Sequence, residues 1–246
     1  GACRMSPSAG HRAVAAPTIW LLDLQALDGL DPFQRWHEAG LISTAEITAA
    51  QRYRHHGARS QFLAGRAVVR HAVTAHTRLP ACEVAIVADH NGKPRLSAPS
   101  AISDWRFNLS HSGTLVACAF ARSEVGVDVE TTSRRVDHGA IARSHFSGAE
   151  ADWIDASPSR RIERFTLLWT LKEAYLKAVG VGISVPLDGF EFSAIKRSSC
   201  RVQSRDLPGD QKWHCRFAPV RPGYWLSVCS DAAIERVDLR WLDERF

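Results

Sequence analysis

The segment Val125-Gly126-Val127-Asp128-Val129-Glu130 alternates an apolar residue with a small or acidic one at every step. A period of two specifies a strand with one face in a core, and it commits Gly126, Asp128 and Glu130 to the opposite face. Asp128 and Glu130 then stand about 7 Å apart, two strand rises. Strand propensity does not ask for them, because Asp and Glu are depleted in strands. Two readings stay open: a solvated face, or a site for a hard cation, since Mg2+ takes one or two carboxylates together with water and phosphate oxygens.

The surroundings of that strand are those of a soluble globular chain. Its 246 residues, 45% hydrophobic and 23% charged, suffice for one large unit or two small ones. The longest charge-free runs, 13–22 and 109–121, fall short of the ~20 apolar residues of a spanning helix, so no membrane segment is expected. Residues 1–12 lack a basic region feeding a long apolar stretch and read as a disordered tail or expression remnant rather than a secretory signal. Six scattered cysteines (Cys3, Cys82, Cys118, Cys200, Cys215, Cys229) form no Cys-x-x-Cys pair, which favours a reducing, cytoplasmic setting. Thirty-one Lys and Arg against 26 Asp and Glu give a formal +5, suited to a phosphorylated ligand or an acidic protein partner. No dense basic tract alternates with aromatics, which speaks against nucleic acid.

Phe62, Ala67, Val69, Ala72 and Val73 predict a helix across 44–77 with a basic outer side. A strand over 83–88 is followed by the turn Asn91-Gly92-Lys93-Pro94 and a loop up to 103. Strands over 105–109 and 115–121 flank Ser110-His111-Ser112-Gly113 as a turn, and 125–130 joins them in a small antiparallel sheet. Short helices over 139–144 and 148–156 precede a long one over 160–179. Its stripe is Ile162, Phe165, Leu168, Trp169, Leu176 and Val179, its stop signal Gly180 and Gly182. Strands over 189–193, 213–217, 224–229 and 237–241 close the chain, with 196–210 as a mobile loop. Trp105-Arg106-Phe107, Gly113 and Val116-Ala117-Cys118 are echoed by Trp213-His214-Cys215, Gly223 and Ser227-Val228-Cys229, a faint sign of duplication.

Further chemistry-bearing residues admit two readings each. Glu173 and Lys177, four apart on one helix face with Thr166 and Thr170, make either an ordinary helix pair or a third carboxylate beside an ammonium poised over a phosphate. Ser110-His111-Ser112-Gly113 is either a plain hairpin turn or a phosphate receiver. Adjacent Ser and His on a strand point to opposite faces, and no G-x-S-x-G elbow surrounds Ser110, which disfavours a hydrolase nucleophile. Lys93, Arg59 and Arg66 are either solvated charges or further phosphate ligands. No P-loop or dinucleotide fingerprint occurs.

Taken in order, the set is specific. Phe62-Leu63-Ala64-Gly65-Arg66, Asn91-Gly92-Lys93-Pro94, Phe107-Asn108-Leu109-Ser110-His111-Ser112, Gly126-Val127-Asp128-Val129-Glu130, the Trp-x-x-Lys-Glu-Ala-x-x-Lys run from Trp169 to Lys177, and Val185-Pro186-Leu187-Asp188 closely resemble the Sfp-type 4'-phosphopantetheinyl transferases. The resemblance covers roughly 41–192. It implies an α+β pseudo-dimer of two similar α+β halves, 13–123 and 124–246, with the active site in the cleft between them. It also implies transfer of phosphopantetheine from coenzyme A to a serine of an apo acyl, polyketide or peptidyl carrier protein.

By the same resemblance Asp128, Glu130 and Glu173 match the Mg2+ ligands. Glu173 matches the general base, with Asp128 or a metal-bound water as rivals, and Lys177 the residue that stabilises the pyrophosphate. Lys93, Pro94, Ser110 and His111 match contacts to the adenosine and 3'-phosphate end. One departure stands out: Glu46 and Ala49 occupy positions where the family commonly has Lys or Arg, leaving Arg52, Arg54, Arg59 or Arg66 to hold the 3'-phosphate. The resemblance implies a cytoplasmic monomer acting on an acidic carrier protein. The alternatives are a protein that binds coenzyme A or a carrier without catalysis, a basic nucleic-acid-binding protein, and a magnesium-dependent phosphatase or nuclease.

Overall fold

The computed structural model describes residues 16–27, 32–89, 92–97, 102–182, 185–196, 198–204, 212–243 and 245–246. The expected tail, Asn91 of the expected turn and residues 205–210 of the expected loop lie outside them.

Two sheets and two long helices make four layers. The first half holds β1 (Thr18–Asp23), α1 (Pro32–Glu38), α2 (Thr44–Ala50), α3 (His56–Thr77), β2 (Ala85–Ala88), β3 (Pro94–Ser97), β4 (Arg106–Ser112) and β5 (Leu115–Ala121). The second holds β6 (Val125–Thr131), α4 (His138–His145), α5 (Gly148–Asp155), α6 (Arg161–Val179), β7 (Phe190–Lys196), β8 (Ser199–Ser204), β9 (His214–Arg221), β10 (Tyr224–Ser230) and β11 (Asp238–Leu242). One sheet runs β11-β1-β5-β4, the other β6-β10-β9-β8-β7, and β2-β3 form a separate ribbon.

Strict alternation makes each central strand two-sided. On β1, Trp20 and Leu22 pack with α3 while Ile19 and Leu21 meet the other sheet; β5 divides in the same way, with Val116, Cys118 and Phe120 against Leu115, Ala117 and Ala119. Val125, Val127 and Val129 of β6 fill the layer between the sheets as the alternation requires. The outer side of the second sheet packs on α6 through Phe190, Phe192, Phe217 and the α6 residues Leu168 and Leu171. Gly113 (φ 56°) and Gly223 (φ 77°) turn the hairpins β4-β5 and β9-β10, a left-handed backbone that glycine adopts without strain. The duplication hinted at by the sequence is therefore a repeated helix-then-hairpin unit.

Several expectations need correction. The helix expected over 44–77 is broken at 51–55, because Glu46 of α2 must face Arg70 of α3, and one continuous helix cannot fold back on itself in this way. Residues 94–97 and 199–204 are strands, pairing with β2 and with β7 and β9, rather than loop. Strand β4 continues to Ser112, so Ser110, His111 and Ser112 belong to the strand and the turn begins at Gly113. Strand β6 forms its backbone ladder with β10, not with β4 and β5. Ile162, expected in the apolar stripe, is 45% exposed in the first turn of α6, whereas Thr166 and Thr170 are buried. Finally, Cys215 and Cys229 are in register across β9 and β10 and form a disulfide. A separation of 14 residues along the chain conceals that adjacency. Among the described residues no helix is long and apolar enough to cross a membrane.

Candidate active site

Where the two sheets meet edge to edge, β6 lies between β4 and α6. Its closeness to α6 is set by Gly126: a methyl there would overlap the Ala174 carbonyl oxygen and the Ala178 amide. Rotation of α6 is set by Lys172, which is fully buried and donates to Glu150 (2.8 Å), Leu187 O (2.7 Å) and Phe190 O (2.8 Å). One residue further, about 100° around the helix, Glu173 faces the carboxylates of β6. One turn beyond, Lys177 donates to Asp128 Oδ1 (2.7 Å) and Val127 O (3.3 Å).

Strand β4 supplies the opposite wall. Ser110 donates to Asp128 Oδ1 at 2.7 Å, and Ser112 donates to Glu130 Oε1. His111, alternating with them, is exposed. Lys93 reaches across from β3's approach and donates to Lys177 O at 2.9 Å, tying the first half to α6. The resulting cleft, about 520 Å³, is lined by Phe62 and Arg66 of α3, by Leu109, Ser110 and His111 of β4, by Asp128 and Glu130, and by Trp169, Glu173 and Lys177. A second cavity of about 540 Å³ continues past Pro94 and Lys177 to Gly180 and Gly182.

The electrostatics follow from crowding. Burial, then the charge of Asp128, raises the Glu173 carboxyl; Lys177 opposes the shift and Glu130 adds to it. Burial also raises Asp128, against the pull of Lys177 and Ser110. His111 is held below the ordinary histidine range by desolvation and by Lys177, and Lys93 below the ordinary lysine range by burial and Arg95.

The sequence-derived set is thus brought together with one exception. Asp128, Glu130, Glu173, Lys177, Ser110, His111, Pro94 and Arg66 line one cleft, and Lys93 and Pro94 line its extension. Arg59 does not line either cavity; its Nε is buried and has no hydrogen-bond partner among the described residues. Arg52 and Arg54 are exposed in the break between α2 and α3. Glu46, which stands where a basic residue was looked for, closes a capping box with Ser43 and pairs with Arg70 (2.8 Å) and Arg66 (3.7 Å). Its place is structural. Sequence reasoning missed Arg70, Tyr53 and the roles of Asn108 and Ser112; the Ser43-x-x-Glu46 capping pattern was the available signal for the first.

Among the described residues no three His, Cys, Asp or Glu side chains stand close enough together to cage a metal ion. The donor set still suits a hard cation. It is all oxygen, its members repel one another, and a Mg2+ shared with phosphate oxygens needs only one or two carboxylates.

Comparison with known proteins bears on the whole of this arrangement. Residues 124–229 match the model of the 4'-phosphopantetheinyl transferase superfamily, and residues 32–123 match that of the 4'-phosphopantetheinyl transferase N-terminal region. The chain is 30% identical over 227 residues to 4'-phosphopantetheinyl transferase psf-1 of Bacillus pumilus, covering 90% of this chain and 94% of that one. Against 4'-phosphopantetheinyl transferase Sfp of Bacillus subtilis (strain 168) identity is 28% over 190 residues, 77% and 82% of the two chains. With 4'-phosphopantetheinyl transferase HetI of Nostoc it is 30% over 168 residues, 68% and 70%.

Proposed function

Because the chain belongs to the 4'-phosphopantetheinyl transferase superfamily, we propose that its cleft carries the phosphopantetheine arm of coenzyme A to a serine hydroxyl of an apo carrier protein, with adenosine 3',5'-bisphosphate leaving. The observation that carries this reading is the joint between the halves, 13–123 and 124–246. There three carboxylates and an ammonium from the second half face His111, Arg66 and Pro94 of the first across one cleft.

The geometry supports the roles that the family resemblance implies. Asp128, Glu130 and Glu173 are the carboxylates of which one or two, with phosphate oxygens of the substrate, would hold Mg2+. Such an ion would supply charge neutralisation at the transferring phosphate, the usual means of accelerating phosphoryl-type transfer. Glu173, its proton affinity raised by burial and by Asp128, accepts the proton of the carrier serine as its oxygen attacks phosphorus. Lys177, fixed by Asp128 and Val127 O, lays its ammonium against the pyrophosphate. His111, held below the ordinary histidine range by desolvation and by Lys177, offers its ring towards the nucleotide end, and Arg66, stacked over Phe62 at 5.1 Å, offers a guanidinium to the 3'-phosphate.

The carrier reaches this cleft from the α4–α6 side in our reading. Val136 and Ile162 are exposed there, flanked along the chain by Arg134, Arg135, Arg160 and Arg161, an apolar and basic surface suited to an acidic helical partner. A single chain completes the cleft, so we place the enzyme as a monomer; its placement in the cytoplasm rests on coenzyme A and on carriers of fatty acid, polyketide or non-ribosomal peptide synthesis, since the Cys215–Cys229 bridge removes the argument from scattered cysteines.

Intact-mass measurement of an apo carrier incubated with the protein, coenzyme A and Mg2+ tests the reading. The expected result is a gain of one phosphopantetheine, lost in Glu173→Ala and without metal. No gain on several acyl and peptidyl carriers, with coenzyme A still bound, would leave a binding protein instead.

A further inference from the structure

Strand β6 meets β4 not through a backbone ladder but through side chains. Asn108 Oδ1 accepts the Val127 N–H (2.9 Å), Ser110 Oγ the Val129 N–H (3.2 Å) and Ser112 Oγ the Thr131 N–H (3.2 Å). These alternate residues of one strand satisfy alternate amides of the other. The exposed edge of the second sheet is thereby closed by the first half. A hydroxyl has one proton. Ser110 donates its O–H to Asp128, and Ser112 donates its O–H to Glu130. Neither serine therefore has a hydrogen left for a phosphate oxygen, and both are buried.

We propose that Ser110 and Ser112 are positioning residues: a rail by which the first half fixes the side chains of Asp128 and Glu130 in the second, rather than contacts to coenzyme A. This assigns Ser110 a different part from the nucleotide contact expected from the sequence, and gives Ser112 one of its own. The inference rests on the proposed metal-dependent transfer, and the two are separable by experiment. Removing a partner that orients a metal ligand typically weakens metal binding about 10- to 100-fold. A lost phosphate contact would instead weaken coenzyme A.

The test is calorimetric titration of Ser112→Ala with coenzyme A in the absence of metal, then with Mg2+ in the presence of coenzyme A, beside wild type and Ser112→Thr. The expected result for Ser112→Ala is a Mg2+ dissociation constant raised about tenfold or more, with coenzyme A affinity unchanged within about twofold. Ser112→Thr, which restores the hydroxyl, should lie nearer wild type. Ser112 sits at the end of β4 next to the turn, so it carries the test if Ser110→Ala, deeper in the strand, does not fold. Parallel loss of metal-free coenzyme A affinity, or no change in Mg2+ binding, would overturn the rail while leaving the transfer reading intact. A wild-type protein that binds coenzyme A but no Mg2+ would overturn both.

Discussion

The two halves are braced by the same device, made from different residues. In the first, Ser43 and Glu46 close a capping box on α2, and Glu46 reaches Arg70 of α3, which also donates to Leu41 O (3.0 Å) and Val84 O (3.1 Å). In the second, Ser147 and Glu150 close a capping box on α5, and Glu150 reaches Lys172 of α6, which donates to Leu187 O and Phe190 O. The chemistry, by contrast, is not repeated. Beside the brace the first half presents Arg66, and the second presents Glu173 and Lys177. The alternate residues facing the joint are Asn108, Ser110 and Ser112 on β4, against Gly126, Asp128 and Glu130 on β6. The duplicated scaffold is thus separable from the site: one half carries the carboxylates and the other holds them.

The sharpest way to break the comparison is to cut each brace. Glu150→Ala leaves the fully buried Lys172 ammonium unpaired and strands the Phe192 N–H, which Glu150 accepts at 2.8 Å. Urea unfolding should show a loss of about 3–5 kcal/mol. Glu46→Ala should cost less, because Arg70 and Glu46 retain some exposure. An equal loss in both would mean that the braces are equivalent in depth as well as in design.

Next come the two glycines at the helix–sheet contacts. Gly126→Ala pushes α6 away from β6, and about 1–3 kcal/mol of overpacking should come with a large fall in transfer rate, since Glu173 and Lys177 ride on that helix. Gly65→Ala in α3 meets, among the described residues, the Leu109 side chain at 3.4 Å (Cδ1) and 3.9 Å (Cδ2), ordinary contacts, so stability should hold or rise by up to about 1 kcal/mol. Thermal unfolding and the carrier mass assay on both variants check the contrast.

A smaller effect separates the braces by pH. Burial pushes the Glu46 carboxyl up, but hydrogen bonds from Arg70 and Ser43 and the Arg70 charge outweigh it and hold the carboxyl below the ordinary glutamate range. A carboxyl with a depressed folded value contributes stability that is complete above the unfolded value, near 4.3, and is lost as pH falls through the folded one. Urea midpoints of Glu46→Gln and wild type should therefore differ at pH 6 and converge towards pH 3. Smallest of all, Cys200, its thiol pushed up to about 12 by burial, should alkylate far more slowly at pH 8 than exposed Cys82.

How far the sequence reaches is itself uneven between the halves. The alternation of 125–130 and the stripe and glycine stop of α6 are local signals, and the second half's site follows from them nearly residue by residue. The first half defeats local reading because its decisive contacts are distant. The break at 51–55 exists to let Glu46 meet Arg70, 24 residues on. Ser110 and Ser112 look like turn residues until their hydroxyls are seen to donate hydrogen bonds to Asp128 and Glu130. Lys172 looks like an exposed member of a charged helix run, yet it is buried because Glu150 and two carbonyls surround it. The cysteine pair fails to show for the same reason, since register across a hairpin is not a spacing along the chain.

The last strand has a consequence for synthesis. Strand β11 lies parallel to β1, and the Phe246 carbonyl accepts from Trp36 Nε1 (3.0 Å) and from Arg35 of α1. Parallel pairing needs its connection already made. Here that connection is nearly the entire chain, so the first sheet to be translated is the last that can be finished. Until residues 238–246 leave the ribosome, β1 is an open edge and Trp36 lacks its acceptor. The nascent first half is therefore a fold in waiting, the stage at which an unpaired apolar strand most needs protection from its neighbours.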